Sequence, residues 1–526
     1  MPNPPIIVIG GGPAGSCVST LLARRGYPVV LLERERFPRA HVGESLLPAS
    51  IPILEDLGAL DAVQRAGFVV KRGATMVWGA DREPWSWYFS ETNASNPHSY
   101  QVWRAEFDAI LLDNARRAGV DVREGCAATG VTFDDSGTAV AVQCGFAKLP
   151  ARFVVDASGQ GGLLARQLGL RQWDDFFRNL AVFAYYKGGE RLPNRDEGNI
   201  LIESQPNGWL WNIPLRDGWS SVGAVVDAET GQQGIRQIGP QRFLEAQIAA
   251  APRTAGMLET AHLASGPEVV RDWSYRCKFL YGPGYILAGD AGCFIDPLFS
   301  SGVHLALTSA TLAAAAVASS LADPDMAGPV GQVYQQLYYK EYGHFRELAR
   351  LFYSSNRTAD SYFWEARRLL DNDPSLTPRQ SFIQAVAGQP PRGYERAVLS
   401  HGLAPVAFGH SVAAVEAERQ YRQSEGLPTD ACIRLADGVL LQRQPVLADG
   451  EFVWGYGLVT DGHPEGLPCS GLVARLLHGL GAGQVVVAAI DALCDGLEPA
   501  ARRQVEQVAT QALQILYVDG ALDLAN

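Results

Sequence analysis

The first residues able to do chemistry are glycines. Gly10, Gly11, Gly12, Pro13, Ala14 and Gly15 form a GxGxxG turn between an apolar Ile and Val run over residues 5–9 and an apolar helical stretch reaching Arg25. A second apolar run over residues 28–32 ends on Glu33, 18 residues beyond Gly15. Strand, turn, helix, strand and acid in this register let backbone N–H groups approach a pyrophosphate at a helix N-terminus, while the acid accepts hydrogen bonds from a ribose. The hexapeptide alone is weak evidence. A merely structural turn needs no acid in register, so the spacing points to a dinucleotide held by Gly10, Gly12, Pro13, Ala14, Gly15 and Glu33.

Three later segments favour FAD over NAD. Residues 100–112 (YQVWRAEFDAILL) read as a strand passing at Arg104 into a helix, residues 152–159 (RFVVDASG) as a strand closing on a small-residue turn, and residues 284–292 (GYILAGDAG) as a strand followed by a Gly-Asp turn. A flavin's ribityl chain and pyrophosphate extend across such a sheet, which assigns Arg104 to the phosphates and Asp290 to ribityl hydroxyls. Taken alone, Asp290 serves equally well as an N-cap for the apolar helix further on.

The sharpest side-chain motif is GWLWNIP over residues 208–214, where Trp209 and Trp211 lie two apart on an expected strand and share one face. Strand tryptophans are most often packed core. In company with GGGPAG, Gly43-Glu44-Ser45, Lys71 and the PLFSSG turn at residues 297–302, however, Trp209, Trp211, Ile213 and Pro214 resemble the WxWxIP signature of flavin-dependent halogenases. The resemblance covers residues 6–370 and is nearest to members acting on phenolic or pyrrole substrates, often tethered to carrier proteins. It implies that reduced FAD and O2 give a flavin hydroperoxide, that chloride or bromide attacks its distal oxygen, and that the resulting hypohalous acid crosses a tunnel to a lysine, here Lys71. It further implies that the two-tryptophan strand keeps substrate from the flavin, that Glu44 and Ser45 shape the loop over it, and that the N–H groups of Ser301 and Gly302 meet halide and flavin. A separate NAD(P)H-dependent flavin reductase is the implied partner.

An amine either captures halogen as a haloamine or hydrogen-bonds hypohalous acid and polarises it, and both need a dry pocket. Outside this context, a Lys beside Arg72 is ordinarily a solvated charge. One departure bears on substrate: tryptophan halogenases carry a glutamate where this chain has Phe299. Phe accepts no proton, so a base lies elsewhere or is the substrate's own ionised hydroxyl. The expectation is an electron-rich phenol or pyrrole, free or on an acyl or peptidyl carrier protein, and not free tryptophan. Basic positions such as Arg346, Arg350, Arg367 and Arg368 would have to attract an acidic carrier. His304 and Cys293 flank the turn without partners at useful spacing and read as core. Two other readings stand: an FAD-dependent aromatic hydroxylase, which needs its own hydride route from NAD(P)H, and a silent FAD-binding partner of a biosynthetic complex.

Positioning these residues requires an α/β fold of the FAD-binding Rossmann type, similar to group A flavin monooxygenases, over residues 1–330. An antiparallel-sheet substrate unit is interleaved at about 75–105 and 170–280. Helices are expected at about 48–67 and 106–118, a hairpin at 130–134 and 138–144, and an apolar helix at 306–322 that falls short of a membrane span. Residues 331–426 read as a mainly helical substrate-side region with a Gly and Pro break at 388–393. Its aromatics, among them Tyr338, Tyr339, Phe352, Tyr353 and Trp364, and the earlier group Trp78, Trp85, Trp87 and Trp103, suit a pocket wall or core. Residues 427–526 read as a small winged-helix-like module.

Composition sets the outer bounds. The 526 residues, 47% apolar and 19% charged, suit a folded protein of two or three units. Lys plus Arg total 44 against 56 for Asp plus Glu, a net charge of -12 without like-charge blocks, which excludes nucleic acid as the main partner. The eight cysteines make no CxxC pair and no metal-ligand spacing with histidine, so no metal is expected and all read as reduced thiols. No basic leader precedes the first strand; the expected location is cytoplasmic, away from membranes.

Overall fold

The computed structural model describes residues 4–79, 82–205, 208–354, 377–388, 421–448, 450–460 and 463–525. They fall into two compact units, one within residues 4–318, 338–354 and 377–388, the other within 319–337 and 421–525.

The first unit is built on a six-stranded sheet in the order Tyr281–Gly282, Tyr285–Leu287, Phe153–Asp156, Ile6–Ile9, Val29–Glu33, Asp121–Glu124. All neighbours run parallel except the first pair. Ile6–Ile9, Val29–Glu33 and Phe153–Asp156 are buried at every residue, as their unbroken apolar runs require of strands covered on both faces. The helix Pro13–Arg24 links the first two strands. The expected helix at 48–67 is two, Ser50–Asp56 and Leu60–Arg65, parted where Gly58 turns left-handed at φ +63°.

The hairpin at 128–144 corrects the reading of the cysteines: Cys126 and Cys144 form a disulfide, and the other six thiols are free. Pairing of Ala128–Phe133 with Ala139–Cys144 sets Cys144 opposite Ala128, beside Cys126, a proximity that linear spacing conceals.

The second sheet has eight strands in the order Cys293–Phe294, His262–Cys277, Arg171–Lys187, Trp219–Asp227, Gly208–Pro214, Ile200–Gln205, Gly73–Val77, Pro84–Tyr88. It is antiparallel throughout except where Ile200–Gln205 runs parallel to Gly73–Val77. Within the span read as sheet, the chain also forms the helices Ala228–Ile238, Pro240–Ala249 and Pro252–Met257. They are short, and Pro240 and Pro252 open the second and third of them in their first turns, where proline is favoured. The Asp227 carboxylate caps the first of them through Thr230 N, and Phe243, Leu244 and Ile248 bury against Val182, Leu210 and Val222 of the sheet.

The apolar helix extends over Gly302–Ala322, 21 residues, four more at its start than expected. Length and composition would let it cross a membrane, yet 78% of its apolar stretch is buried inside the protein, as in a core helix. Helices Ala327–Ser354 and Pro378–Ala387 follow; the break beyond Gly388 and residues 362–364, 367 and 368 lie outside the described residues.

In the second unit, Cys432–Leu435 pairs with Gln484–Val485 and Leu522–Leu524, and Leu440–Ala448, Glu451–Thr460 and His463–Cys469 form a meander. Helices Gly471–Leu480, Val486–Cys494 and Pro499–Val518 share a core of Leu476, Leu477, Ile490, Leu513 and Leu516. The middle helix opens on a Val-Val pair that reads locally as strand.

Candidate active site

Close packing builds the glycine turn. Gly10 takes φ +102°, a Cβ on it would collide with the Ala157 carbonyl, and one on Gly15 would collide with the Gly10 carbonyl. Gly12 begins the helix with no side-chain cap and Pro13 occupies its first turn, leaving N–H groups and the positive end of the dipole for an anion; Ala14 is buried beneath. The Glu33 carboxylate accepts Gly11 N at 2.6 Å and Glu35 N at 2.8 Å, pinning the acid against the turn.

Arg104 is held by protein partners within reach of Glu44 and Asp290. Its Nε and Nη2 donate to Asp108 at 2.9 and 3.0 Å and its Nη1 to Val42 O at 2.7 Å, so it ties the loop before Gly43-Glu44-Ser45 to the helix Arg104–Arg117. The guanidinium beside the glycine turn is Arg39. Its Nη2 lies 3.4 Å from where a Gly12 Cβ would sit, and its Nη1 lies 3.5 Å from Asp108 Oδ2. Nothing in the sequence separates Arg39 from Arg34 and Arg36 in the same basic run.

Asp290 lies in the short turn Gly289–Ala291 and does not cap the apolar helix, which starts at Gly302. Burial pushes its carboxyl up to about 6, with Arg104 and Arg171 pulling it back. The buried Glu44 accepts from Tyr185 Oη at 2.8 Å, and burial raises its pKa against those hydrogen bonds. The hydroxyls of Ser45 and Ser301 are buried without a hydrogen-bond partner. An unobstructed turn, an uncapped helix and these orphaned hydroxyls fit FAD. The turn with Arg39 would hold the pyrophosphate, Glu33 the ribose, Asp290 the ribityl side, and the 43–45 loop and 300–302 turn the ring.

Lys71 ends the strand Val69–Lys71 and is 2% exposed. Its Nζ donates to Leu46 O at 3.0 Å and Ser300 Oγ at 3.4 Å and lies 5.6 Å from the Phe89 ring centre. No carboxylate pairs with it among the described residues, and burial draws the amine down to about 7. A small cavity of about 10 Å³, room for a single water, joins Lys71 to Trp87, Phe89, Phe299, Ser300 and the aliphatic Leu47, Ile200 and Ile202. Behind it Trp85, Trp87, Phe299, Phe352 and Phe382 pack ring on ring, for example Phe299 on Phe352 at 5.1 Å. Trp103 leaves this group for Tyr185 and Trp219, while Tyr338 and Tyr339 donate to the Gly289 and Cys277 carbonyls.

Trp209 and Trp211, 1% and 5% exposed, stand side by side with ring centres 6.0 Å apart on Gly208–Pro214, and Ile213 and Pro214 are buried after them. Trp211 fits because the facing residue is Gly223, where any Cβ would enter its ring. Ser300 adopts a left-handed φ of +59° ahead of Ser301 and Gly302, where the long helix begins. His304, read as lacking a partner, has one: Glu341 Oε1 lies 2.9 Å from its Nε2, supplied by the next helix. No cluster of metal-ligating side chains occurs among the described residues.

A dinucleotide-type parallel sheet joined to a mixed sheet, with a buried lysine and a two-tryptophan strand, defines a flavoprotein oxidoreductase of the monooxygenase type. Residues 5–96 and 92–398 match the tryptophan halogenase family model. The tryptophan 2-halogenase of Chondromyces crocatus is 40% identical over 69% of this chain and 70% of its own length. The structure of CmlS, a flavin-dependent halogenase, superposes with a TM-score of 0.73 at 29% identity, covering 99% of this chain and 96% of that one. The myxobacterial chondrochloren halogenase CndH gives a TM-score of 0.64 at 40% identity over 70% of this chain and 87% of its own. The chain belongs to the tryptophan halogenase family and is a flavin-dependent halogenase, an oxidoreductase using FAD, halide and O2. Enzymes of this kind generally draw reduced flavin from a separate reductase.

Proposed function

We propose that this halogenase acts on an electron-rich phenol or pyrrole, free or on an acyl or peptidyl carrier protein, using chloride or bromide and an NAD(P)H-dependent reductase. The supporting observation is the lining of the Lys71 cavity: rings, aliphatic groups, Ser300 and the amine, with Phe299 and no carboxylate among the described lining residues. A ring whose developing cation is stabilised by its own oxygen or nitrogen asks least of such a site. Arg346 and Arg350 are already paired with Asp174 and Glu347, which favours a free substrate over an acidic carrier.

Reduced FAD, with O2 and halide, supplies the electrophilic halogen. The chain does the rest. The N–H groups of Ser301 and Gly302, at a helix N-terminus, hold the halide. Trp209 and Trp211 keep the ring away from the flavin. Lys71, with about half its amine neutral at pH 7, either takes halogen from hypohalous acid on its lone pair, the O–halogen bond breaking and water leaving, or holds hypohalous acid by a hydrogen bond; the substrate's own oxygen or nitrogen stabilises the ring cation, and the ring proton passes to water or to the amine once it is freed of halogen.

The name of the Chondromyces crocatus relative supports a second reading, in which tryptophan is the ring presented to Lys71. Turnover is to be compared on free tryptophan, free phenols and pyrroles, and carrier-tethered acyl forms, with product mass as readout. Phenol or pyrrole products are expected to dominate, and regioselective halogenation of tryptophan at a competitive rate would overturn the assignment.

A further inference from the structure

The Pro297–Phe299 turn that leads to Ser300 and Ser301 is held by a largely buried group of polar side chains from four distant elements. Asp296 precedes it, is 2% exposed, and caps it: Oδ1 accepts Leu298 N at 3.1 Å, while Asp296 N donates to Ser274 Oγ at 3.0 Å. Asp296 Oδ2 accepts from Asn179 Nδ2 at 3.0 Å and from Tyr353 Oη at 2.7 Å. The same Tyr353 oxygen accepts from Asn179 at 3.1 Å and from the indole N–H of Trp209 at 2.5 Å.

The polarity of this group is forced. An indole nitrogen can only donate, so the tyrosine oxygen must accept, so the tyrosine proton must point to Asp296, whose carboxylate is acceptor-only. Burial pushes the Asp296 carboxyl up to about 6, and the bonds from Tyr353, Leu298 and Asn179 pull it toward the charged form. The helix Ala327–Ser354 also grips the far side of the turn: Phe352, next to Tyr353, packs edge-on against Phe299 at 5.1 Å, and Trp78 Nε1 donates to the Phe352 carbonyl at 3.2 Å. Between these grips sits Ser300, in a left-handed conformation that a non-glycine residue keeps only when its surroundings impose it.

We propose that Tyr353, Asn179 and Asp296 are positioning residues for halide: they lock the 297–301 turn to the Trp209 strand, so that the signature tryptophan and the anion-binding N–H groups hold one fixed relation. The proposal rests on the reading of Ser301 and Gly302 as the halide site. Loss of the lock loosens the turn that carries the anion cradle, and with it Phe299 and Ser300 at the edge of the Lys71 cavity, while the glycine turn is untouched.

The test uses the full chain with FAD and a separate reductase, on whichever aromatic substrate it turns over, so it does not depend on the substrate assignment. Tyr353→Phe removes one oxygen and keeps the ring; Asn179→Leu removes both of that residue's donors; Asp296→Asn sets a donor against donors. Halide KM is expected to rise five-fold or more in Tyr353→Phe and further in Asp296→Asn. Aromatic-substrate KM and FAD affinity, which share only part of this turn and rest mainly on other elements, should change clearly less than halide KM, with more reducing equivalents lost as hydrogen peroxide. If Asp296→Asn does not fold, the other two variants decide. An unchanged halide KM in a folded variant, or parallel loss of halide, substrate and FAD affinity, overturns the proposal. A wild-type enzyme whose product formation does not saturate with halide would instead overturn the reading of the Ser301 and Gly302 site.

Discussion

Residues 10–33 carry most of the cofactor cradle on one stretch of chain, whereas the cavity around Lys71 takes its walls from residues 47, 71, 74, 87, 89, 200, 202, 298–300 and 386. The first is tight because backbone meets backbone: a single Cβ at Gly10 or Gly15 closes it. The second is dry because side chains from many segments converge, and its chemical consequence is a lysine whose proton is held only to about pH 7. A local motif can be read as a unit. A convergent pocket exists only once the sheets have formed, and its key property, desolvation, belongs to no residue in isolation.

The comparison is broken most sharply at Lys71. In Lys71→Met, product formation is expected to fall by ~100-fold or more, the range of a lost acid, base or nucleophile, while FAD affinity by fluorescence titration stays within about twofold. Product near the normal rate would return Lys71 to an ordinary structural role. The same variant reports on folding. The unfolded chain keeps the proton to 10.5 and the folded chain only to about 7, so the unfolded state binds more protons in that window and stability rises with pH across it. Urea unfolding at pH 7 and 9 should show that rise in the wild type and a flattened one in Lys71→Met.

A charge placed in the cavity sharpens the contrast. Phe299→Glu sets a carboxylate near the amine and favours its protonated form, so the ascending limb of the halogenation pH profile, expected near 7, should move up by roughly 1–2 units. Product formation at pH 7 should fall ~10-fold, with no change in FAD affinity. A profile that stays in place would mean that Lys71 titration does not gate the reaction.

The smallest effect is at the wall. Gly223→Ala forces a methyl group against the Trp211 ring, and overpacking of this kind costs about 1–3 kcal/mol. Denaturant midpoints measure it, and FAD affinity should again hold, since the glycine turn belongs to the other sheet.

Much of the scaffold was legible: the parallel strands from their unbroken apolar runs, the 128–144 hairpin from its Asp-Ser-Gly turn, and Trp209 beside Trp211 from a spacing of two. The helices between 228 and 257 were not, because each is short, 6 to 11 residues, and owes its stability largely to packing on the sheet. Arg39 was hidden among like residues, and Arg104, conspicuous at a strand end, spends its donors on Asp108 and Val42.

Sequence by itself determined the elements whose stability is local or periodic: the glycine turn, the register that places Glu33 beside it, the tryptophan pair, and the presence of Lys71 next to Arg72. Tertiary structure alone decided that Lys71 is dry and unpaired by any described carboxylate, that Cys126 meets Cys144, that His304 has Glu341, and that Trp209 reaches Asp296 through Tyr353. The physical reason is range. Backbone geometry and side-chain period act over a few residues and are written in order along the chain, whereas burial, pairing and pKa depend on atoms that come together only after the loops between them have closed.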